Sequence, residues 1–250
     1  MAHLIALRRP HMRGRIGAWL KKPLAHKLRS VAVKGQGAIN RMADGIFEKW
    51  HRLDCGGFVQ HTDLETIYSA SLPHARAYEA VTCQVIGKLL DEAKKTGIVF
   101  DNFIDIGSGK GKACFYAAAR HRFNKIIGVE FSGPLVEVAN ANKKNSGAHD
   151  VNFFNIDATL FSLPAGDNLV FLFNPFGEVI LRQFLENNID SFRHGRSVIA
   201  YANDQHRLCL AELGFATLFR NQDSQCSLHQ YVEISARVES EVRAEDWPAD

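Results

Sequence analysis

Four short apolar runs in this 250-residue chain each end on residues able to bind or orient a small molecule. Phe103-Ile104-Asp105-Ile106 runs into Gly107-Ser108-Gly109-Lys110-Gly111, and Lys125-Ile-Ile-Gly-Val ends on Glu130. Val151-Asn-Phe-Phe-Asn-Ile ends on Asp157, and Asn168-Leu-Val-Phe-Leu-Phe on Asn174-Pro175-Phe176. Glycines at 107, 109 and 111 suit a turn that visits positive φ and lets a ligand approach the backbone closely. The helix expected straight after them points its unpaired N–H groups back at the loop. That is the chemistry of a nucleotide-type cofactor site. A P-loop is excluded, because Lys112 stands where Gly-x-x-x-x-Gly-Lys-Ser/Thr needs its second glycine. The dinucleotide pattern G-x-G-x-x-G/A fails at the same residue.

Charge narrows the choice. Asp105, two positions before the first glycine, repels a pyrophosphate and suits a cofactor with a cationic or amino-bearing end. S-adenosyl-L-methionine carries a sulfonium and an ammonium group and is favoured over a dinucleotide. Glu130, 19 positions after Gly111, can accept both ribose hydroxyls, a spacing that serves NAD-binding proteins equally. Asp157 can accept a hydrogen bond from an adenine amine. Singly, each acid could equally start a turn, and Asn-Pro is a common turn pair. Order and spacing together tie them to one site. A sulfonium is already electrophilic, so the protein need only align an acceptor. The Asn174 side-chain carbonyl and the Pro175 backbone carbonyl can each accept an N–H from an acceptor amine. Phe176 offers a ring face to the same group. The bland alternative is that Asn174 caps a helix starting near Glu178.

On these residues the chain resembles the class I S-adenosylmethionine-dependent methyltransferases, over about Ala75 to Val238. The resemblance implies that Asp105, Gly107, Ser108, Gly109 and Gly111 cradle the methionine part of the cofactor. It also implies that Glu130, with its neighbour Phe131, binds ribose, and that Asp157 meets adenine. Tyr78 falls in the segment that closes over the methyl donor in similar enzymes, with ordinary packing beside Val81 and Val85 as the alternative. More narrowly, Gly-Ser-Gly-Lys-Gly, Gly-Val-Glu-Phe-Ser and Phe-Asn-Pro-Phe-Gly look like a group of small bacterial methyltransferases distantly similar to the non-SET histone-lysine methyltransferases. Amino-methyltransferases carry Asp/Asn-Pro-Pro-aromatic where this chain has a single proline. The acceptor stays open among a protein lysine, another amine and a nucleic-acid base. A non-catalytic cofactor-binding adaptor is a third reading, disfavoured by the intact loop and acids.

The elements that must position these residues follow from periodicity. The pattern predicts a helix over 37–51, with Ile39, Met42, Ile46, Phe47 and Trp50 on one face, and a long helix over 75–95 headed by Tyr78 and Glu79. Strands at 98–106, 125–130, 151–156, 168–174 and 196–202 alternate with helices at 111–121, 133–144, 178–190 and 204–213. Such alternation implies a parallel sheet with helices on both faces. Two closing strands, about 215–221 and 227–237, are too close for a helical crossover and should pair antiparallel. The fold class is α/β: a Rossmann-like, mostly parallel seven-stranded sheet ending in an antiparallel hairpin. A basic, mostly helical appendage (1–73) precedes the cofactor-binding domain (74–238), and an acidic tail (239–250) follows.

Composition bounds the remainder. Residues 1–53 hold 12 Lys and Arg against two acids, Asp44 and Glu48, in a chain of net charge +3. This segment suits contact with nucleic-acid phosphates or a membrane surface, a targeting role, or a solvated appendage. No apolar run reaches the ~18 residues of a membrane span. Five scattered cysteines without a C-x-x-C pair point to a reducing, cytoplasmic setting and to no zinc. The 11 histidines show no metal-ligand spacing. Gly56, Gly57 and Phe58 are candidates for a substrate lid, and Lys110 and Lys112 are expected in solvent or near the cofactor carboxylate.

Overall fold

A computed structural model describes residues 37–232. The predicted acidic tail, the end of the last predicted strand and most of the basic segment lie outside the described residues. Contacts divide the chain into two units, Met1–Met42 and Ala43–Asp250. The site lies wholly in the second. Residues 37–51 are helical (α1), and β1 (Phe58–Val59) pairs antiparallel with β2 (Tyr78–Glu79). Helix α2 (Cys83–Lys94) then leads into β3 (Asn102–Ile106), α3 (Lys112–Arg120) and β4 (Lys125–Glu130). Next come α4 (Gly133–Ser146), β5 (Val151–Asn155) and β6 (Asn168–Phe173). Helices α5 (Glu178–Asn187) and α6 (Ile189–His194), β7 (Val198–Ala202), α7 (Arg207–Glu212), β8 (Phe215–Asn221) and β9 (Cys226–Tyr231) complete the described residues.

Among the described residues the main sheet has seven strands in the order β5-β4-β3-β6-β7-β9-β8. The first five are parallel, β9 runs antiparallel to β7, and β8 runs antiparallel to β9. Central strands are apolar at almost every residue because successive side chains enter opposite cores. Phe103, Leu169, Phe171, Val198 and Ala200 pack with α2 and α3. Ile104, Ile106, Val170, Leu172, Ile199 and Tyr201 pack with α5, α6 and α7. The strand order reverses direction at β3 and β6, whose carboxyl ends carry Asp105 and Asn174. That is where open α/β sheets bind ligands. No helix among the described residues is long and apolar enough to cross a membrane.

Three expectations about elements need correction. The predicted helix over 75–95 begins only at Cys83, with Thr82 as N-cap accepting from the Val85 N–H. Ala75 bridges Phe176, and Tyr78 and Glu79 form β2, so these residues head no helix. The predicted helix over 178–190 breaks at Asn188. That buried side chain donates to the Phe161 and Phe184 carbonyls and accepts from the Leu163 N–H. On α1, Phe47 turns inward onto Tyr116, with ring centroids 5.2 Å apart, while Ile39, Met42, Ile46 and Trp50 are exposed. The inward face is shared with Asp44 and Glu48, which reach the buried Lys112 ammonium at 3.3 and 2.9 Å.

Candidate active site

The glycine loop is built as its sequence demands, for a partly different reason. Gly107, Gly109 and Gly111 have φ of +77°, +53° and +86°, conformations in which a Cβ is strained. Space forbids a Cβ as well. One at Gly107 would lie 2.2 Å from the Pro175 Cβ, and one at Gly109 2.3 Å from the Tyr78 ring. A Cβ at Gly111 would strike the Phe153 ring at 2.4 Å. The close approach that excludes side chains is therefore made by the protein itself. Three distant segments rest on the loop through these gaps. The Gly107 and Ser108 N–H groups both donate to the Val129 carbonyl, which locks the loop to β4.

A cavity of about 300 Å³ opens over this loop, the size of a small-molecule site. Among the residues expected at the site, Tyr78, Asp105, Gly107, Ser108, Glu130, Phe131, Asp157, Asn174, Pro175 and Phe176 line it. Gly109 and Gly111 serve it through packing, under Tyr78 and Phe153. Asp105, Glu130 and Asp157 stand at the carboxyl ends of three adjacent parallel strands, all three buried. The Glu130 oxygens accept from the Gly109 and Ser132 N–H groups, both at 2.9 Å, so this acid braces the loop. One Asp157 oxygen accepts from the Thr159 N–H and hydroxyl at 2.8 and 2.6 Å. Ser108 Oγ is buried without a hydrogen-bond partner among the described residues.

The charge reading of Asp105 needs amending. Burial, and then the neighbouring Glu130 charge, push its carboxyl up to about 8, against a slight lowering by the Cys114 thiol 3.8 Å away. Burial also raises Glu130, opposed by its backbone N–H donors. In the free protein Asp105 is thus mostly protonated at neutral pH, and its negative charge develops beside a cation. A ligand carrying sulfonium and ammonium groups would relieve both acids, so the donor set fits S-adenosyl-L-methionine.

At the opposite end, Phe58 of the candidate lid and Tyr78 both line the cavity, but the way they dock leaves no mark in the sequence. Residues 54–82 form a strap across the loop. The Tyr78 hydroxyl donates to the Cys55 carbonyl at 2.7 Å, and Lys110 Nζ donates to the Gly56 carbonyl at 2.7 Å. Asn142 joins strap to loop, donating to the Asp54 and Lys110 carbonyls and accepting from the Asp54 N–H. Lys112, expected near solvent or the cofactor, is buried in its ion pairs with α1. Residues 74–76 pair with the Asn-Pro-Phe loop: Gly177 N–H donates to the His74 carbonyl at 2.8 Å and Arg76 N–H to the Pro175 carbonyl at 3.1 Å. The Pro175 carbonyl, expected to face an acceptor, is thereby already engaged. Asn174 sits at φ +41° and is buried, with Oδ1 accepting from the Tyr201 hydroxyl at 3.4 Å. Gly177, not Asn174, is the N-cap of α5.

Residues 101–209 match a family model described as a methyltransferase domain. The sheet order and the glycine loop accord with a methyltransferase domain of the S-adenosylmethionine-dependent kind over these residues. It is similar in structure to the ribosomal protein L11 methylase of Lactobacillus delbrueckii subsp. bulgaricus, at 13% identity and TM-score 0.45, over 60% of this chain and 80% of that one. A TehB-like S-adenosylmethionine-dependent methyltransferase of Corynebacterium glutamicum is similar at 16% identity and TM-score 0.41, over 59% and 88%. A Geobacter sulfurreducens methyltransferase, solved with S-adenosyl-L-homocysteine, is similar at 18% identity and TM-score 0.40, over 54% and 65%. No curated protein sequence matches the chain.

Proposed function

We propose that the enzyme methylates an amine nitrogen, with a protein lysine as the leading acceptor. The carrying observation is Asn174, which lines the cavity at the end of β6 and whose side-chain oxygen accepts from Tyr201 with a lone pair left over. In this reading Asp105, Gly107 and Ser108 hold the methionine part of the donor, Glu130 and Phe131 the ribose, and Asp157 the adenine. Gly109 and Gly111 keep the loop in shape, and Tyr78 closes over it. The donor supplies an activated methyl group. Asn174 accepts an N–H of the acceptor so that the nitrogen lone pair faces the cavity, and Phe176 walls the path. As the N–CH₃ bond forms, the S–CH₃ pair goes to sulfur and the acceptor nitrogen then loses a proton. Incubation with labelled donor and a cell lysate tests this. Label in protein, at lysine on hydrolysis, is expected, and label confined to nucleic acid would reject it.

That second outcome is the competing reading, base methylation with residues 1–53 on phosphates, and it rests on their 12 Lys and Arg. It requires RNA affinity that falls steeply with salt.

A further inference from the structure

The cavity wall has a charge polarity that the donor does not use up. Three buried acids, Asp105, Glu130 and Asp157, gather at the strand ends, whereas Arg76 lines the wall beside the Asn-Pro-Phe loop, with the exposed Glu79 further along the strap. Arg76 is fixed there by its backbone. Its N–H donates to the Pro175 carbonyl, and Ala75 bridges Phe176. The other cation in the wall, Lys112, is neutralised by Asp44 and Glu48. Arg76 makes no ion pair with a carboxylate among the described residues. Its Nη2 meets His206 Nε2 at 3.4 Å. A guanidinium only donates, so Nε2 accepts and the ring is neutral, with its proton on Nδ1. That nitrogen faces Glu178 Oε2 at 4.0 Å, and Glu178 is itself bonded by Arg182. The Arg76 side chain is exposed, held beside His206 through Nη2, and has no carboxylate partner among the described residues.

We infer that Arg76, held beside His206, is the subsite for an anionic group, carboxylate or phosphate, carried by the methyl acceptor. The inference rests on the reading above, in which the acceptor enters beside Asn174. A planar guanidinium with free donors recognises either anion through paired hydrogen bonds. The acceptor would then be an amine bearing an acid group a few bonds from its nitrogen, and a neutral amine of the same size would be discriminated against. A small amino acid or an amino compound carrying phosphate meets this description, and a lysine does so only where an acidic side chain of its peptide folds back beside its ammonium.

The test uses the full chain loaded with S-adenosyl-L-homocysteine. Two matched pairs, phosphoethanolamine with ethanolamine and β-alanine with propylamine, are titrated by calorimetry. The anionic member of at least one pair should bind about tenfold or more tightly than its neutral-bodied partner, and the pair that shows it identifies the anion. Arg76→Gln should abolish the preference and Arg76→Lys should restore part of it, with adenosylhomocysteine affinity unchanged in both. Equal binding within both pairs, or no binding of either anion, overturns the inference. So does an Arg76→Gln protein that loses affinity for adenosylhomocysteine but keeps it for methylthioadenosine, because Arg76 would then hold the donor's own carboxylate. Methyl transfer to lysate protein is read separately, so failure of this subsite does not mimic failure of the amine reading.

Discussion

The two ends of the cavity are built in different ways. At the donor end, Asp105, Glu130 and Asp157 each come with their own strand, and the glycine loop follows its strand without a break. At the acceptor end only Asn174-Pro175-Phe176 comes with its own strand, β6, and the rest is brought in from elsewhere. Arg76 reaches Pro175, Tyr78 covers Gly109, and Asn142 ties Asp54 to Lys110. The donor end is a property of one sheet edge. The strap and the Asn-Pro-Phe loop rest on the glycine loop through Tyr78 and Pro175, so changes there reach the donor end as well.

Gly107→Ala attacks the point where the two ends meet. The new Cβ would sit 2.2 Å from Pro175 at a φ of +77°. Left-handed backbone and overpacking together should cost roughly 2–5 kcal/mol of stability. Urea unfolding should show this, and donor binding should fall with it. A protein of unchanged stability would mean that the Asn-Pro-Phe loop moves freely from the glycine loop. Asn174→Ala should act more selectively, lowering single-turnover methylation roughly 10- to 100-fold through lost alignment while donor affinity holds. Its φ of +41° adds a cost in melting temperature, read on the same preparation. A less stable but fully active variant would remove Asn174 from the chemistry.

This asymmetry also explains what the sequence disclosed. The strands, the glycine turn and the three acids were legible because each is a contiguous pattern whose periodicity reports burial on both faces. The strap was not. Tyr78 carried an aromatic signal, but its partner is a backbone carbonyl 23 residues away, which leaves no trace in spacing. Ala75 to Lys95 reads as one amphipathic helix, and tertiary pairing with residues 175–177 and with β1 unwinds its first turns. Lys112 follows a glycine turn like any solvated lysine. Its burial depends on Asp44 and Glu48, more than 60 residues earlier.

Glu130→Ala sharpens the donor side. Losing hydrogen bonds to a charged partner should weaken donor binding by about 1–3 kcal/mol. Because the same carboxylate accepts from Gly109 and Ser132, part of that loss is a loosened loop. Glu130→Gln keeps one acceptor oxygen and should lie between the two. Calorimetry with adenosylhomocysteine decides, and an unchanged affinity in Glu130→Ala would move the ribose elsewhere.

The smallest effect is a pH dependence confined to the donor end. Asp105 is held up to about 8 in the free protein, first by burial and then by Glu130. Its unfolded value is near the ordinary 3.8, so between about pH 4 and 8 the folded state binds more protons than the unfolded one. Stability of the free protein from this group therefore falls as pH rises through that window. Donor binding has the opposite sign. A sulfonium and ammonium favour the ionised carboxyl, so binding releases a proton and affinity rises with pH until Asp105 is ionised without help. From pH 7 to 8.5 the gain should be at most about eightfold. Asp105→Asn should flatten the profile, whereas affinity for molecules that meet only the acceptor end should show no such slope. Calorimetry in buffers of different ionisation enthalpy reads the proton directly. Donor binding at pH 7 without proton release would show that Asp105 does not face the donor's positive charge.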